Sequence, residues 1–164
     1  LDAQKISKIF RKRINEIPKT RYCKGTYYSL SQKSPFSKLI YPMPSNAGLG
    51  IHLTLDLAGR AKFGPDTEWV DEPNYEINLD NKSNFVSAIK DYYPSLNEED
   101  LYPDYVGVRP KIVSYNEPPA DFSIQFSDQH SLKGYVALYG IESPGLTSAL
   151  SIGEFIKKGL DINL

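Results

Sequence analysis

Three groups of residues in this chain have the types and spacing to do chemistry: a glycine-bounded turn, an arginine in an apolar strand and a histidine in another strand. The turn is Gly140-Ile141-Glu142-Ser143-Pro144-Gly145-Leu146-Thr147, and it follows the apolar run Tyr135-Val136-Ala137-Leu138-Tyr139. Ser143 reads as a helix N-cap and Pro144 as the first helical residue, where a missing N–H costs nothing. Gly140 and Gly145 lack Cβ atoms and let another group approach the backbone. Open N–H groups at such a helix start favour an anion or an electron-rich ligand atom. For a glycine turn alone, an ordinary capped helix after a strand is the preferred reading.

Arg109 lies among Tyr105, Val106 and Val108. A guanidinium there is either a paired structural cation or a bidentate carboxylate receptor. His52 sits between Ile51 and Leu53, so alternation turns it to the face opposite theirs. By itself it reads as a hydrogen-bonded sheet residue, although imidazole is the usual base near neutral pH. His130, in a polar turn with Ser127 and Asp128, is expected to be solvated. The acidic run Asn97-Glu98-Glu99-Asp100 lacks metal-site spacing and a partner histidine, and reads as a solvated loop. A single cysteine, Cys23, excludes an internal disulfide and a cysteine-only metal site.

These residues must be positioned by short elements. Residues 3–13 carry Ile6, Ile9 and Phe10 at helical spacing. Strands are expected over 25–31, 38–43 and 50–55, the last joined to 60–63 by a hairpin through Asp56-Leu57-Ala58-Gly59, with Pro42, Pro44 and Gly48 bounding the loop before it. Residues 81–93 form the clearest interior helix, with Phe85, Ala88, Ile89 and Tyr92 on one face and Pro94 ending it. A long strand over 102–113 contains Pro110 and is therefore expected at an edge or bent. Strands at 122–126 and 135–139 and a final helix over 143–158 complete the pattern, which predicts an α+β fold: a mostly antiparallel β-sheet with flanking helices.

Composition narrows the partners. A chain of 164 residues with 40% hydrophobic content can bury a core of its own. The 19 basic and 20 acidic residues give a net charge of −1, which offers no reason to expect nucleic acid. No apolar stretch is long enough to span a bilayer, and no signal peptide is visible. Twelve tyrosines and twelve prolines suit a turn-rich antiparallel sheet.

The wording of the turn is more specific than its physics. Gly-Ile-Glu-Ser-Pro-Gly-Leu-Thr resembles the C-terminal flavin-contacting segment of the D-amino-acid-oxidase-like FAD-dependent oxidoreductases, in particular the branch containing L-2-hydroxyglutarate dehydrogenases and oxidases. The resemblance extends to Lys24-Gly25-Thr26-Tyr27-Tyr28, to the pair Ile40-Tyr41-Pro42-Met43-Pro44 and Gly50-Ile51-His52-Leu53-Thr54, to Phe63-Gly64-Pro65-Asp66, and to Gly107-Val108-Arg109-Pro110-Lys111. Several motifs in the right order are more specific than one turn.

The resemblance implies hydride transfer from an L-2-hydroxy acid to FAD, with 2-hydroxyglutarate the leading substrate and oxygen or a quinone the electron acceptor. It implies that Gly140, Ile141, Glu142, Ser143, Pro144, Gly145, Leu146 and Thr147 contact the flavin. Arg109 would hold the substrate carboxylate, and His52 would be either the base for the hydroxyl proton or a hydrogen-bond donor to the substrate. A dicarboxylate needs a second cation, for which Lys24, Arg60, Lys62 and Lys111 stand unranked. Tyr27, Tyr41 and Tyr105 are candidates to close the pocket, and Asp121 is a minor one. The alternatives are an FAD-dependent amino-acid or glycerol-3-phosphate oxidoreductase, or a non-catalytic β-rich binding module.

The family's glycine-rich FAD clamp is not visible: no G-x-G-x-x-G lies at a strand-to-helix junction, and the chain starts at Leu1 rather than Met. The expectation is therefore a C-terminal portion lacking the N-terminal FAD-binding half, inactive and not binding FAD alone. Residues 1–139 would supply a partial substrate-binding sheet and 140–164 the flavin-contacting turn and helix. Exposure of surface normally covered by the missing half favours self-association. A cytoplasmic location is expected, or a membrane-peripheral one if a quinone is the acceptor.

Overall fold

The computed structural model describes residues 1–10, 14, 16–43 and 50–160. The chain divides into two compact units, Cys23–Val108 and a second made of Leu1–Tyr22 with Arg109–Leu164. Both show the expected α+β character, helices beside antiparallel strands.

In the unit Cys23–Val108, β1 (Arg21–Leu30) is the central strand. The sheet runs β2 (Leu53–Leu55), β3 (Ala61–Phe63), β1, β4 (Glu68–Val70), with β5 (Leu101–Lys111) also pairing β1. The β2–β3 register sets Leu53 opposite Phe63 and Thr54 opposite Lys62, and β1 brings Tyr28 opposite Phe63 and Ser29 opposite Lys62. Alternation therefore gives two chemically distinct faces. One carries Tyr28, Leu30, Leu53, Ala61 and Phe63, all buried, and receives Phe85, Val86 and Ile89 of helix α2 (Lys82–Lys90). Each large apolar side chain fully buried there contributes about 2–3 kcal/mol before entropy. The other face carries Tyr27, Ser29, Thr54 and Lys62.

Local chemistry explains the joints. Asp56 Oδ1 accepts from the N–H groups of Ala58 (2.9 Å) and Arg60 (3.0 Å), and Gly59 supplies the positive φ of 76°, so the β2–β3 turn closes tightly. Asn78 caps a short 3-10 turn (Leu79–Asn81) that leads into α2, and Asn81 donates to Asp66 at 2.7 Å. Asp66 also accepts from the Thr26 N–H at 2.6 Å. Gly64 has φ +136°, and a Cβ there would lie 2.6 Å from the Thr26 carbonyl oxygen and 2.9 Å from the Tyr27 ring. Gly64→Ala is accordingly expected to destabilise the protein by roughly 3 kcal/mol, read as a Tm lower by several degrees. An unchanged Tm would show that this packing yields easily.

In the other unit, helix α1 (Ala3–Ile9) lies against β7 (Ala137–Tyr139), which pairs antiparallel with β6 (Ser123–Gln125). The buried Ser7 hydroxyl ties them: it lies 2.8 Å from the Ala3 carbonyl, 2.9 Å from the Tyr135 hydroxyl and 2.6 Å from that of Tyr139. A one-turn helix α3 (Ser127–His130) follows β6, and α4 (Ala149–Gly159) ends the described chain, with Gly159 against the Phe126 ring.

Several expectations need correction. Residues 38–43 form no strand; Ile40 alone bridges Leu53, because the flanking Pro35 and Pro42 lack the N–H a ladder needs. The first helix is seen to Ile9, and residues 11–13 of the expected span lie outside the described residues, as do Pro44 and Gly48. The last helix starts at Ala149, not at 143. Ser148 is its N-cap residue, and residues 143–148 form successive turns closed by the Ser148 N–H to the Pro144 carbonyl at 3.0 Å. Ser143 therefore caps nothing. His130 is buried at 2% exposure instead of solvated: Ser131 adopts a left-handed φ of 61°, and the ring folds against Tyr135 with centroids 5.3 Å apart. Strand β4 was not expected.

Candidate functional site

The polar face of the Cys23–Val108 sheet carries His52, Tyr27 and Lys62 among the anticipated side chains, with Tyr41 and Tyr105 stacked on two of them. His52 precedes β2 and is 8% exposed, while its neighbours Ile51 and Leu53 point into the core. Its carbonyl accepts from the Gly64 N–H at 3.0 Å, extending the β2–β3 ladder by one pair. The ring stacks on Tyr41, centroids 4.5 Å apart, and Nδ1 has no hydrogen-bond partner among the described residues. Burial holds the imidazole pKa below its ordinary value of 6.5, against a weaker opposing effect of the Gly50 backbone. The imidazole is thus biased toward the neutral form, which can accept a proton.

Tyr27 stacks on Tyr105 at 4.4 Å, and Lys62 Nζ sits 5.1 Å from the Tyr105 centroid. Lys62 also pairs with Asp104 at 2.7 Å, both side chains about a quarter exposed or less. Two of the four candidates for a second cation pair with carboxylates away from this face. Lys24 is 3% exposed, pairs with Glu68 at 3.2 Å, and by alternation lies on the Tyr28 side of β1, away from Tyr27. Arg60 stands at the hairpin turn, its side chain 70% exposed and its Nε 2.7 Å from Asp56 Oδ2. The sequence shows Thr54 and Asp104, but only the β2–β3 register sets Thr54 opposite Lys62, and only the folded ion pair brings Asp104 to it.

In the other unit, the turn Ile141–Thr147 lines a shallow, open cleft of about 260 Å³. Gly140 takes φ +67° with Ile112 packed against it, and a Cβ on Gly145 would lie 2.6 Å from the Glu142 carbonyl oxygen. Among the described residues the N–H groups of Leu146 and Thr147 meet no acceptor, so the turn presents open donors even though the regular helix begins later. Both glycines answer to the packing of the turn itself, and the donor pair alone fits an electron-rich ligand atom. Lys111 bonds Glu142 at 2.6 Å and ties β5 to the turn. Arg109, two residues earlier on β5, is half-buried. Among the described residues no group of His, Cys, Asp and Glu is arranged to hold a metal ion, and no helix is long and apolar enough to cross a membrane.

Comparison with known proteins identifies the family of this chain. Residues 5–158 match the family described as DAO: FAD dependent oxidoreductase, and the chain belongs to that family. It is 43% identical over 152 residues to the mitochondrial L-2-hydroxyglutarate dehydrogenase of Arabidopsis thaliana, covering 85% of this chain and 32% of that protein. The chain therefore spans about a third of the length of this curated relative. Among solved structures, the FAD-bound, dithionite-reduced L-alpha-glycerophosphate oxidase of Mycoplasma pneumoniae superposes with a TM-score of 0.80 at 22% identity, over 99% of this chain and 41% of that one. The FAD complex of glycerol-3-phosphate dehydrogenase from Bacillus halodurans gives a TM-score of 0.65 at 17% identity, over 99% and 31%. At those identities the likeness establishes the fold.

Proposed function

We propose that this chain is the substrate-facing and flavin-contacting part of a longer FAD-dependent enzyme that oxidises an L-2-hydroxy acid of the 2-hydroxyglutarate type. The kinship with the plant dehydrogenase supports the substrate class. The observation that carries the chemistry is His52, buried, biased to neutrality and with an Nδ1 that meets no hydrogen-bond partner among the described residues. FAD, when bound, supplies the hydride acceptor. His52 then takes the hydroxyl proton as hydride leaves the adjacent carbon, and Arg109 fixes the carboxylate with its two-pronged guanidinium. Tyr27 and Tyr105 wall the substrate, and in the other unit the N–H groups of Leu146 and Thr147 would face an electron-rich atom of FAD when it is bound. The open turn and the nearly fully exposed Leu146 (93%) and Leu150 (88%) suit a surface that the remainder of a longer chain covers. Oxygen or a quinone takes the electrons onward.

The test is anaerobic mixing of the full-length flavoprotein with L-2-hydroxyglutarate. Rapid loss of the visible flavin absorbance, absent with the D enantiomer, is the expected result. A flavin that bleaches only with an amino acid or with glycerol-3-phosphate would replace the substrate assignment. A folded full-length protein without flavin would remove the enzymatic one.

A further inference from the structure

A dicarboxylate substrate carries a second anionic group beyond the one beside its reacting carbon, and four cations were open at the outset to meet it. The structure separates them. Lys24 is buried against Glu68 on the other side of β1, and Arg60 is clipped to Asp56 at the exposed hairpin turn. Lys111 pairs with Glu142 of the glycine turn and belongs to the other compact unit, not to the sheet that carries His52. Lys62 is the cation on the same sheet face as His52, Thr54 and Tyr27.

Its position along the sheet is also suitable. The ladder bond between His52 and Gly64 places Lys62 one side-chain repeat from the His52 pair, about 7 Å along the strands. In a five-carbon hydroxy diacid the distal carboxylate lies three carbons beyond the hydroxyl-bearing carbon, so a flexible lysine can meet it while His52 faces the hydroxyl. Lys62 already holds a carboxylate, that of Asp104, with its ammonium over the Tyr105 ring. Both side chains remain about a quarter exposed, so the ammonium is not sealed from a solute carboxylate.

We propose that Lys62 determines specificity, binding the distal carboxylate of a 2-hydroxy diacid in exchange for Asp104. This rests on the hydroxy-acid reading above. Asp104 then acts as the internal competitor that keeps the ammonium oriented until substrate arrives. A merely structural Lys62–Asp104 pair predicts that both substitutions weaken binding alike. The exchange predicts opposite signs.

The experiment measures anaerobic flavin reduction in the full-length holoenzyme with L-2-hydroxyglutarate and with L-2-hydroxyvalerate, which carries a methyl group in place of the distal carboxylate. Lys62→Met is expected to reduce the preference for the diacid by about tenfold or more through a weaker apparent Kd, with Lys62→Arg restoring most of it. Asp104→Asn is expected to increase that preference. An unchanged ratio in Lys62→Met, a lowered ratio in Asp104→Asn, or a wild-type enzyme that does not distinguish the two acids would each overturn the role of Lys62 while leaving hydroxy-acid oxidation intact. A wild-type flavin reduced by neither acid would instead remove the underlying reading, and the proposal with it.

Discussion

Replacing Arg109 by Lys in the full-length flavoenzyme is expected to raise KM for the hydroxy acid by on the order of a hundredfold while flavin content stays unchanged. The substitution keeps one positive charge and most of the aliphatic stem, so long-range attraction of the anionic substrate survives. What disappears is the rigid fork: two parallel N–H donors that hold a carboxylate in one plane are replaced by an ammonium that can rotate around it. Losing one charge-assisted hydrogen bond costs about 1.5–3 kcal/mol, which accounts for the size of the effect. Because a carboxylate held by two bonds also orients the neighbouring carbon, kcat should fall as well, though less. Steady-state kinetics combined with the flavin-to-protein absorbance ratio separates the outcomes. Wild-type KM in the variant would remove the carboxylate assignment, and loss of flavin would make Arg109 part of the cofactor scaffold instead.

The dependence of this prediction on Arg109 illustrates what the chain discloses before its structure is known. Strand and helix identity were legible where pattern and punctuation coincide. The β2–β3 hairpin announces itself through Asp56 and Gly59, and α2 through Phe85 and Ile89 ahead of Pro94. The same local signals mislead where tertiary contacts decide. Ser143-Pro144 carries a strong helix-start signature, yet the regular helix waits until Ala149 while the turn closes on Pro144 and Glu142 carbonyls. His130 sits in a polar sequence, yet one left-handed residue folds its ring into the interior. The site behaves similarly. The face occupied by His52 follows from simple alternation beside Ile51 and Leu53. The commitments of Lys24 to Glu68 and of Lys62 to Asp104 join residues dozens of positions apart, and no periodicity along the chain encodes them. Pairing register is the missing information, because it alone decides which cations share a face.

Removing the imidazole should be more damaging than any change to a cation. In His52→Gln, flavin reduction by the hydroxy acid is expected to slow by on the order of 10³-fold, as a positioned general base contributes roughly 10²–10⁴-fold. Glutamine retains a polar group near the position of the buried Nδ1 but cannot accept the proton, so binding should change far less than rate. The pH dependence carries a sign set by burial. The folded imidazole has a pKa below the ordinary 6.5, so it stays neutral and active as the pH drops through that value, and kcat/KM should lose its acid limb only at lower pH. Stability runs in the same direction. Above 6.5 the folded and unfolded histidines are both neutral and the group has no effect. As the pH falls below 6.5 the unfolded chain binds the proton first, and the folded state loses stability progressively toward its depressed pKa. His52→Gln should therefore be relatively less acid-sensitive in unfolding than the wild type, although it is nearly inactive at every pH. A variant that oxidises the hydroxy acid at close to the wild-type rate would show that His52 only donates a hydrogen bond or fills the sheet, and would shift the substrate toward an amine, whose neutral form can lose hydride without a protein base.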